Sequence, residues 1–289
     1  MEKLIKEKIS SLLSEEEGVL SVEQLGGMTN QNYLVKTTSK PYIVKFFGKG
    51  TEKLINRQDE KYNLELLKGL NLDVKNYLFD IESGIKVNEY IESAVTLDST
   101  SIKTKFEKIA PILQTIHASG KELRGEFAPF EEIKKYESLI QGEISYPNYE
   151  AVRKSVFSLK EELEQIGVDK KSCHIDLVPE NFIEGPDGHL YLIDWEYSSM
   201  NDPMWDLAAL FLESEFTSAE EEDFLSHYES DNTPVSREKI RIYKILQDII
   251  WSLWTIYKEE NGADFGDYGI SRYNRAVKEL ESEGDLNEN

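Results

Sequence analysis

Between Ser172 and Asp194 the chain reads S-C-H-I-D-L-V-P-E-N-F-I-E-G-P-D-G-H-L-Y-L-I-D, and three of these residues have the types and spacing of phosphoryl-transfer chemistry. Asp176 follows His174 by two positions, Asn181 follows Asp176 by five, and Asp194 closes an apolar run. An Asp on such a loop can orient an attacking hydroxyl and accept its proton. An Asn and a second Asp are hard oxygen ligands of the kind that hold Mg²⁺ against nucleotide phosphates. The triplet H-x-D alone is a common accident. Followed by the Asn, a turn and a strand ending in Asp, it points to transfer of a phosphoryl group from a nucleotide; the bland alternative is an ordinary polar loop and hairpin.

The elements that must position these residues can be read from pattern. Residues 182–184 are extended, Gly185-Pro186-Asp187-Gly188 is turn chemistry, and 190–193 is an apolar strand. That hairpin folds Asn181 and Asp194 towards each other. Near the start of the chain, residues 19–25 and 33–37 read as strands around Gly26-Gly27-Met28-Thr29-Asn30, where adjacent glycines let backbone amides approach phosphate and Thr29 and Asn30 add side-chain donors. The next strand, 42–47, carries Lys45 inside an apolar run, costly for a cation unless it is paired or partly solvated. A kinase uses a lysine there to hold phosphates and pairs it with a Glu on the following helix. The helix expected over 51–68 offers Glu60, one turn before Leu64. The alternative for Lys45 is a side chain snorkelling at a strand edge.

Two more strands are expected at 71–80 and 84–87, followed by a crossing segment in which the backbone of Glu89 and Ile91 would meet adenine. The small amino-terminal lobe, 1–93, is then a nucleotide-binding lobe, and 94–289 a larger, mainly helical one. In the latter, Ile102, Phe106, Ile109, Leu113 and Ile116 share a helical face, as do Val152, Val156, Leu159, Leu163 and Ile166. A helix over 236–257 places Trp251 and Trp254, three apart, on one face; by pattern alone they are core residues. His117 reads as a structural histidine at a helix end.

Composition sets wide bounds. The 289 residues include 33 basic and 55 acidic ones, a net charge of −22, which argues against affinity for nucleic acid or anionic membrane surfaces. The single cysteine, Cys173, excludes an intramolecular disulfide, and the four histidines show no metal-ligand spacing. No apolar run is long enough to span a bilayer and no signal peptide is present, so a cytoplasmic protein is expected. Oligomeric state is not legible.

These motifs resemble the choline and ethanolamine kinases, in the wider group that includes the aminoglycoside phosphotransferases, and in particular the bacterial LicA-type choline kinases. The resemblance runs through Gly26-Gly27-Met28-Thr29-Asn30, His174-x-Asp176-x4-Asn181, Asp194-Trp195-Glu196-Tyr197-Ser198-Ser199, Asp206, Glu213 and Trp251-Ser252-Leu253-Trp254. It implies an α+β, bilobal, protein-kinase-like fold and an ATP-dependent choline kinase using Mg²⁺. It further implies Asp176 as base, Asn181 and Asp194 as metal ligands with Glu196 at a second metal, and Lys45 paired to Glu60. Tyr197, Glu213, Trp251, Trp254 and Tyr268 would form a cage for the quaternary ammonium, with Asp206 pinning the catalytic region. The sequence departs from the pattern at Val178, where relatives often carry a polar residue. Two rival readings stay open: a kinase for ethanolamine or an aminoglycoside, and a non-catalytic choline-sensing protein.

Overall fold

A computed structural model describes residues 2–14, 16–26, 30–48 and 50–282. Gly27, Met28 and Thr29, expected at the phosphate turn, lie outside the described residues. The chain divides into two compact units: Met1–Leu97 with Glu180–Glu196, and Asp98–Pro179 with Tyr197–Asn289.

In the first unit, helix α1 (Glu2–Ser10) precedes strands β1 (Val19–Gln24), β2 (Gln31–Thr37) and β3 (Tyr42–Phe46). Helix α2 (Arg57–Leu67) leads to β4 (Asn76–Asp80) and β5 (Ile85–Glu89), completing an antiparallel sheet of order β1-β2-β3-β5-β4. Its apolar face is built by period-two alternation: Val35, Tyr42, Val44, Phe46, Ile85 and Val87 pack with Ile5 and Ile9, one helical turn apart on α1. The helix expected over 51–68 is broken. A 3-10 turn covers Thr51–Lys53, and α2 restarts at Asn56, whose side chain caps it by accepting from the amides of Gln58 and Asp59. The strand expected from residue 71 begins at Asn76, because Asn71 sits in the left-handed region at φ 54° after a 3-10 turn.

The second sheet of this unit joins β6 (Val95–Thr96) to a hairpin of β8 (Phe182–Glu184) and β9 (Leu190–Leu192), with β7 (Lys171–Cys173) lying in the other unit. The hairpin turn closes as its sequence demands. Gly185 N–H donates to the His189 carbonyl at 2.8 Å, and Gly188 takes φ 79°, which glycine adopts without steric cost.

The second unit is helical: α3 (Phe106–His117), α4 (Pro129–Leu139), α5 (Tyr149–Ile166), α6 (Pro203–Glu213), α7 (Ser218–Tyr228), α8 (Arg237–Glu260) and α9 (Tyr268–Ser282), with β7 paired to β10 (Ser199–Asn201). The expected apolar face of α3 is fully buried at Ile109, Leu113 and Ile116. That burial outweighs the backbone bond lost to Pro111 inside the helix. Helix α8, capped by Ser236, is buried along most of its 24 residues and packs on α4, α5, α6 and α9. No helix among the described residues is long and apolar enough to cross a membrane.

Candidate active site

In the first unit, the residues expected at the phosphates belong to one buried ion network. Lys45, in the middle of β3, donates from Nζ to Asp194 Oδ1 and lies 3.8 Å from Glu196 Oε2. Arg57 Nη1 donates to Glu60 Oε2 at 2.7 Å and to Glu196 Oε2 at 2.8 Å, and its guanidinium lies 3.8 Å over the Phe47 ring. Lys86 Nζ donates to Glu60 Oε1. Lys45, Arg57, Glu60, Lys86 and Glu196 are all buried.

Three cations face three carboxylates here, so the charges balance, as buried ions require. Burial alone would lower the pKa of Lys45, but Asp194 and Glu196 outweigh it and the net shift is upward. Arg57 behaves alike, with Glu196 and Glu60 overcoming its desolvation. The expected Lys45–Glu60 pair is therefore corrected. Glu60 is held by Arg57 and Lys86, while Lys45 turns to the acids at the end of the hairpin. The physical reason is strand register: β5 sets Lys86 directly opposite Lys45, and each lysine takes its own acid.

Asn181 and Asp194 are brought together as the hairpin predicts. Ile193 N–H donates to the Asn181 carbonyl at 2.8 Å, so Asp194 is the next residue after that closure; its φ is 68°. Asn30, expected to reach phosphate, has its amide engaged at both ends. Nδ2 donates to Glu196 Oε1 at 3.0 Å, and Oδ1 accepts from Gly48 N–H at 3.0 Å. Glu89 ends β5 with its N–H on the Lys75 carbonyl at 2.8 Å, and the Ile91 carbonyl accepts from Ala94 at 3.2 Å.

The oxygen donors present suit Mg²⁺, a hard cation, and Asn181 with Asp194 are the residues that would hold it. Glu196 fits less well, since Oε1 already accepts from Asn30 and Oε2 from Arg57.

In the second unit, the loop bearing Asp176 is fixed by Asp206, as expected. Asp206 Oδ2 accepts from His174 N–H and Oδ1 from Ile175 N–H, both at 2.8 Å. His117 Nε2 lies 3.1 Å from Asp206 Oδ2 and its Nδ1 2.7 Å from Tyr228 Oη, the arrangement of a structural histidine. Ile175 has φ 77°, a strained conformation for a β-branched residue, and it is held there from both sides. Its N–H meets Asp206, and its carbonyl accepts from Trp205 Nε1 at 3.0 Å.

The expected cage residues form a run of aromatic neighbours. Tyr197 meets Trp251 edge-on at 5.6 Å between centroids, and Trp251 meets Trp254 at 6.4 Å. Trp254 lies 4.9 Å from Phe265, and Phe265 lies 6.5 Å from Tyr268. Burial pushes the Tyr268 phenol pKa up, and the carboxylates of Asp176 and Asp248 add to it, so the acid and this ring are electrostatic neighbours. Glu213 is not left as a bare carboxylate beside the rings: it pairs with Arg272 of α9. Sequence reasoning missed Lys86, Phe265 and Arg272. Only Lys86 carried a usable signal, a cation inside the apolar strand Ile85-Lys86-Val87.

A model of the choline/ethanolamine kinase family matches residues 22–241. Over 269 residues the chain is 31% identical to protein LicA of Haemophilus influenzae, covering 89% of this chain and 79% of that one. The crystal structure of choline kinase LicA from Streptococcus pneumoniae matches with a TM-score of 0.94 and 83% identity, over 98% of this chain and 99% of that one. A structure of LicA in complex with AMP matches with a TM-score of 0.92 and 84% identity, over 97% and 98% of the two chains. This chain belongs to the choline/ethanolamine kinase family.

Proposed function

We propose that this enzyme transfers the γ-phosphoryl group of ATP to the hydroxyl of choline, giving phosphocholine and ADP. The observation that carries this reading is the run of rings from Tyr197 through Trp251, Trp254 and Phe265 to Tyr268, in the same unit as the pinned Asp176 loop. A quaternary ammonium has no N–H to donate, so aromatic faces and apolar contact must hold it, each ring contributing roughly 0.5–2 kcal/mol. Similarity to a choline kinase at 83% identity supports the same acceptor.

Asp176 orients the choline hydroxyl and takes its proton as the oxygen attacks the γ-phosphorus and the bond to the β-phosphate oxygen breaks. Lys45 neutralises phosphate charge, and its engagement with Asp194 keeps it in place for that task. Asn181 and Asp194 would hold Mg²⁺, which when bound neutralises phosphate oxygens. Glu60, Arg57 and Asn30 act through their neighbours: they fix Glu196, Lys86 and the end of the hairpin. Residues 26–29 and the backbone at Glu89 and Ile91 would meet the rest of the nucleotide. We place the enzyme in the cytoplasm, where ATP is available.

Turnover of ATP with Mg²⁺ against choline, ethanolamine and kanamycin in parallel tests the reading. Choline well above the others is expected, and Trp254→Ala should raise its KM at least about tenfold. Turnover with kanamycin alone would refute the cage, and an unimpaired Asp176→Asn variant would refute the mechanism.

A further inference from the structure

The environment of Glu213 departs from a simple cation cage. It is the last residue of α6, and its carboxylate is met by the Nη2 group of Arg272. Arg272 is 4% exposed and is held from three sides. Its Nη1 donates to Asp248 Oδ1 at 2.9 Å, its Nη2 meets Glu213, and its Cζ lies 4.8 Å over the ring of Tyr268, one helical turn earlier on α9. Asp248 is already gripped by both donor edges of Arg275, at 2.6 Å each. Glu213 is the second carboxylate that Arg272 meets, and the charge of Asp176 also favours its protonated form. Within the cluster Arg272 and Arg275 engage both Glu213 and Asp248.

We propose that Arg272 is a specificity-determining residue of the acceptor site: by occupying Glu213 it withholds that carboxylate from a primary ammonium and so favours a quaternary one. The inference rests on the choline-kinase reading above and deepens it. A primary ammonium brings three N–H donors into the site, and each donor left without an acceptor after desolvation weakens binding. A trimethylammonium brings none and loses no hydrogen bond when Glu213 is already taken. The rings serve both cations; only the primary one also needs the acceptor. Arg272 can hold this role at working pH. Burial and the nearby charge of Arg275 push its pKa down to about 9, so it remains protonated near neutrality.

The test compares kcat/KM for choline and for ethanolamine, with saturating ATP and Mg²⁺, in three full-length variants. In Arg272→Met the freed Glu213 becomes an acceptor, and the ethanolamine-to-choline ratio should rise by about tenfold. In Glu213→Gln the ratio should stay within about twofold of the parent, because the carboxylate was not serving substrate. An unmoved ratio in folded Arg272→Met would overturn the proposal. So would a selective loss of ethanolamine turnover in Glu213→Gln, and that arm decides the matter even if Arg272→Met does not fold. Trp254→Ala is run alongside. If it leaves the choline KM unchanged, the cage reading itself has failed, a result separable from either outcome at Arg272.

Discussion

Lys45 and Lys86 stand directly opposite each other in the antiparallel pair of β3 and β5, on one face of the sheet. Like charges at facing positions repel, and both side chains are buried. The arrangement holds because two sets of acids divide them: Asp194 and Glu196 take Lys45, and Glu60 takes Lys86. Arg57 bridges the sets by bonding both Glu60 and Glu196. The amino-terminal sheet thus holds Lys45 through a relay of charges in place of the single Lys–Glu pair.

This relay predicts a measurable coupling. Glu60→Gln leaves Lys86 buried without its counter-charge and should cost about 3–5 kcal/mol in denaturant unfolding. Adding Lys86→Met removes the stranded cation and should restore at least about 1 kcal/mol. A double mutant no more stable than Glu60→Gln alone would show that the pair does not act as a unit.

The Asp206 carboxylate predicts a second effect, on catalysis at a distance. It holds the amides of His174 and Ile175, the latter in a conformation that its side chain disfavours. In Asp206→Asn at least one of those acceptors becomes a donor, and the loop that aims Asp176 is released. We expect kcat to fall by about 10–100-fold with the ATP KM little changed, since a small misplacement costs rate more than binding. Equal kcat in a folded variant would mean the loop is fixed by Trp205 and its own packing.

What the sequence disclosed follows the range of the interaction. The hairpin that closes Asn181 onto Ile193 was legible because its turn lies within four consecutive residues, Gly185 to Gly188. The buried face of α3 was legible because periodicity is local. Lys45 stood out as a cation in an apolar strand, but its partner did not. The choice between Glu60 and Asp194 depends on where β5 falls against β3 and where the hairpin ends, 149 residues away. Glu213 and Arg272 show the same limit. Each is unremarkable in its own helix, and only the packing of α9 brings them together. Phe265 lies in a loop with no periodicity to mark it.

Stability should respond to acid through the link between α1 and β4. Lys8 donates to Asp80 at 2.5 Å, and this bond, with that from Ser83, holds the Asp80 carboxyl below the usual carboxylate range. An acid whose folded pKa is depressed stabilises the protein above its unfolded pKa, near 4, and loses that contribution as pH falls through the folded value. The pair is partly exposed, so the effect is modest. Asp80→Asn should lower the Tm by a few degrees at pH 7 and by clearly less near pH 2. An equal loss at both pH values would assign the effect to packing instead of charge.

Metal dependence should separate the two acids at the end of the hairpin. Glu196 meets Asn30 with Oε1 and Arg57 with Oε2, and its side chain is 4% exposed. Asp194 meets Lys45 through Oδ1 and is 26% exposed, one residue beyond the closure onto Asn181. A carboxylate already satisfied by a guanidinium and an amide would have to break both bonds to reach a cation, whereas Asp194 is the more exposed of the two acids and directly follows the closure onto Asn181. Asn181→Ala should therefore raise the Mg²⁺ concentration for half-maximal turnover by about tenfold or more, and Asp194→Asn should abolish turnover at any Mg²⁺ level. Glu196→Gln should instead lower the Tm and leave the Mg²⁺ requirement within about threefold. If the Glu196 variant shifts the Mg²⁺ curve as far as the Asn181 variant, then Glu196 leaves Arg57 when metal arrives, and the relay is a resting state of the site and not its working one.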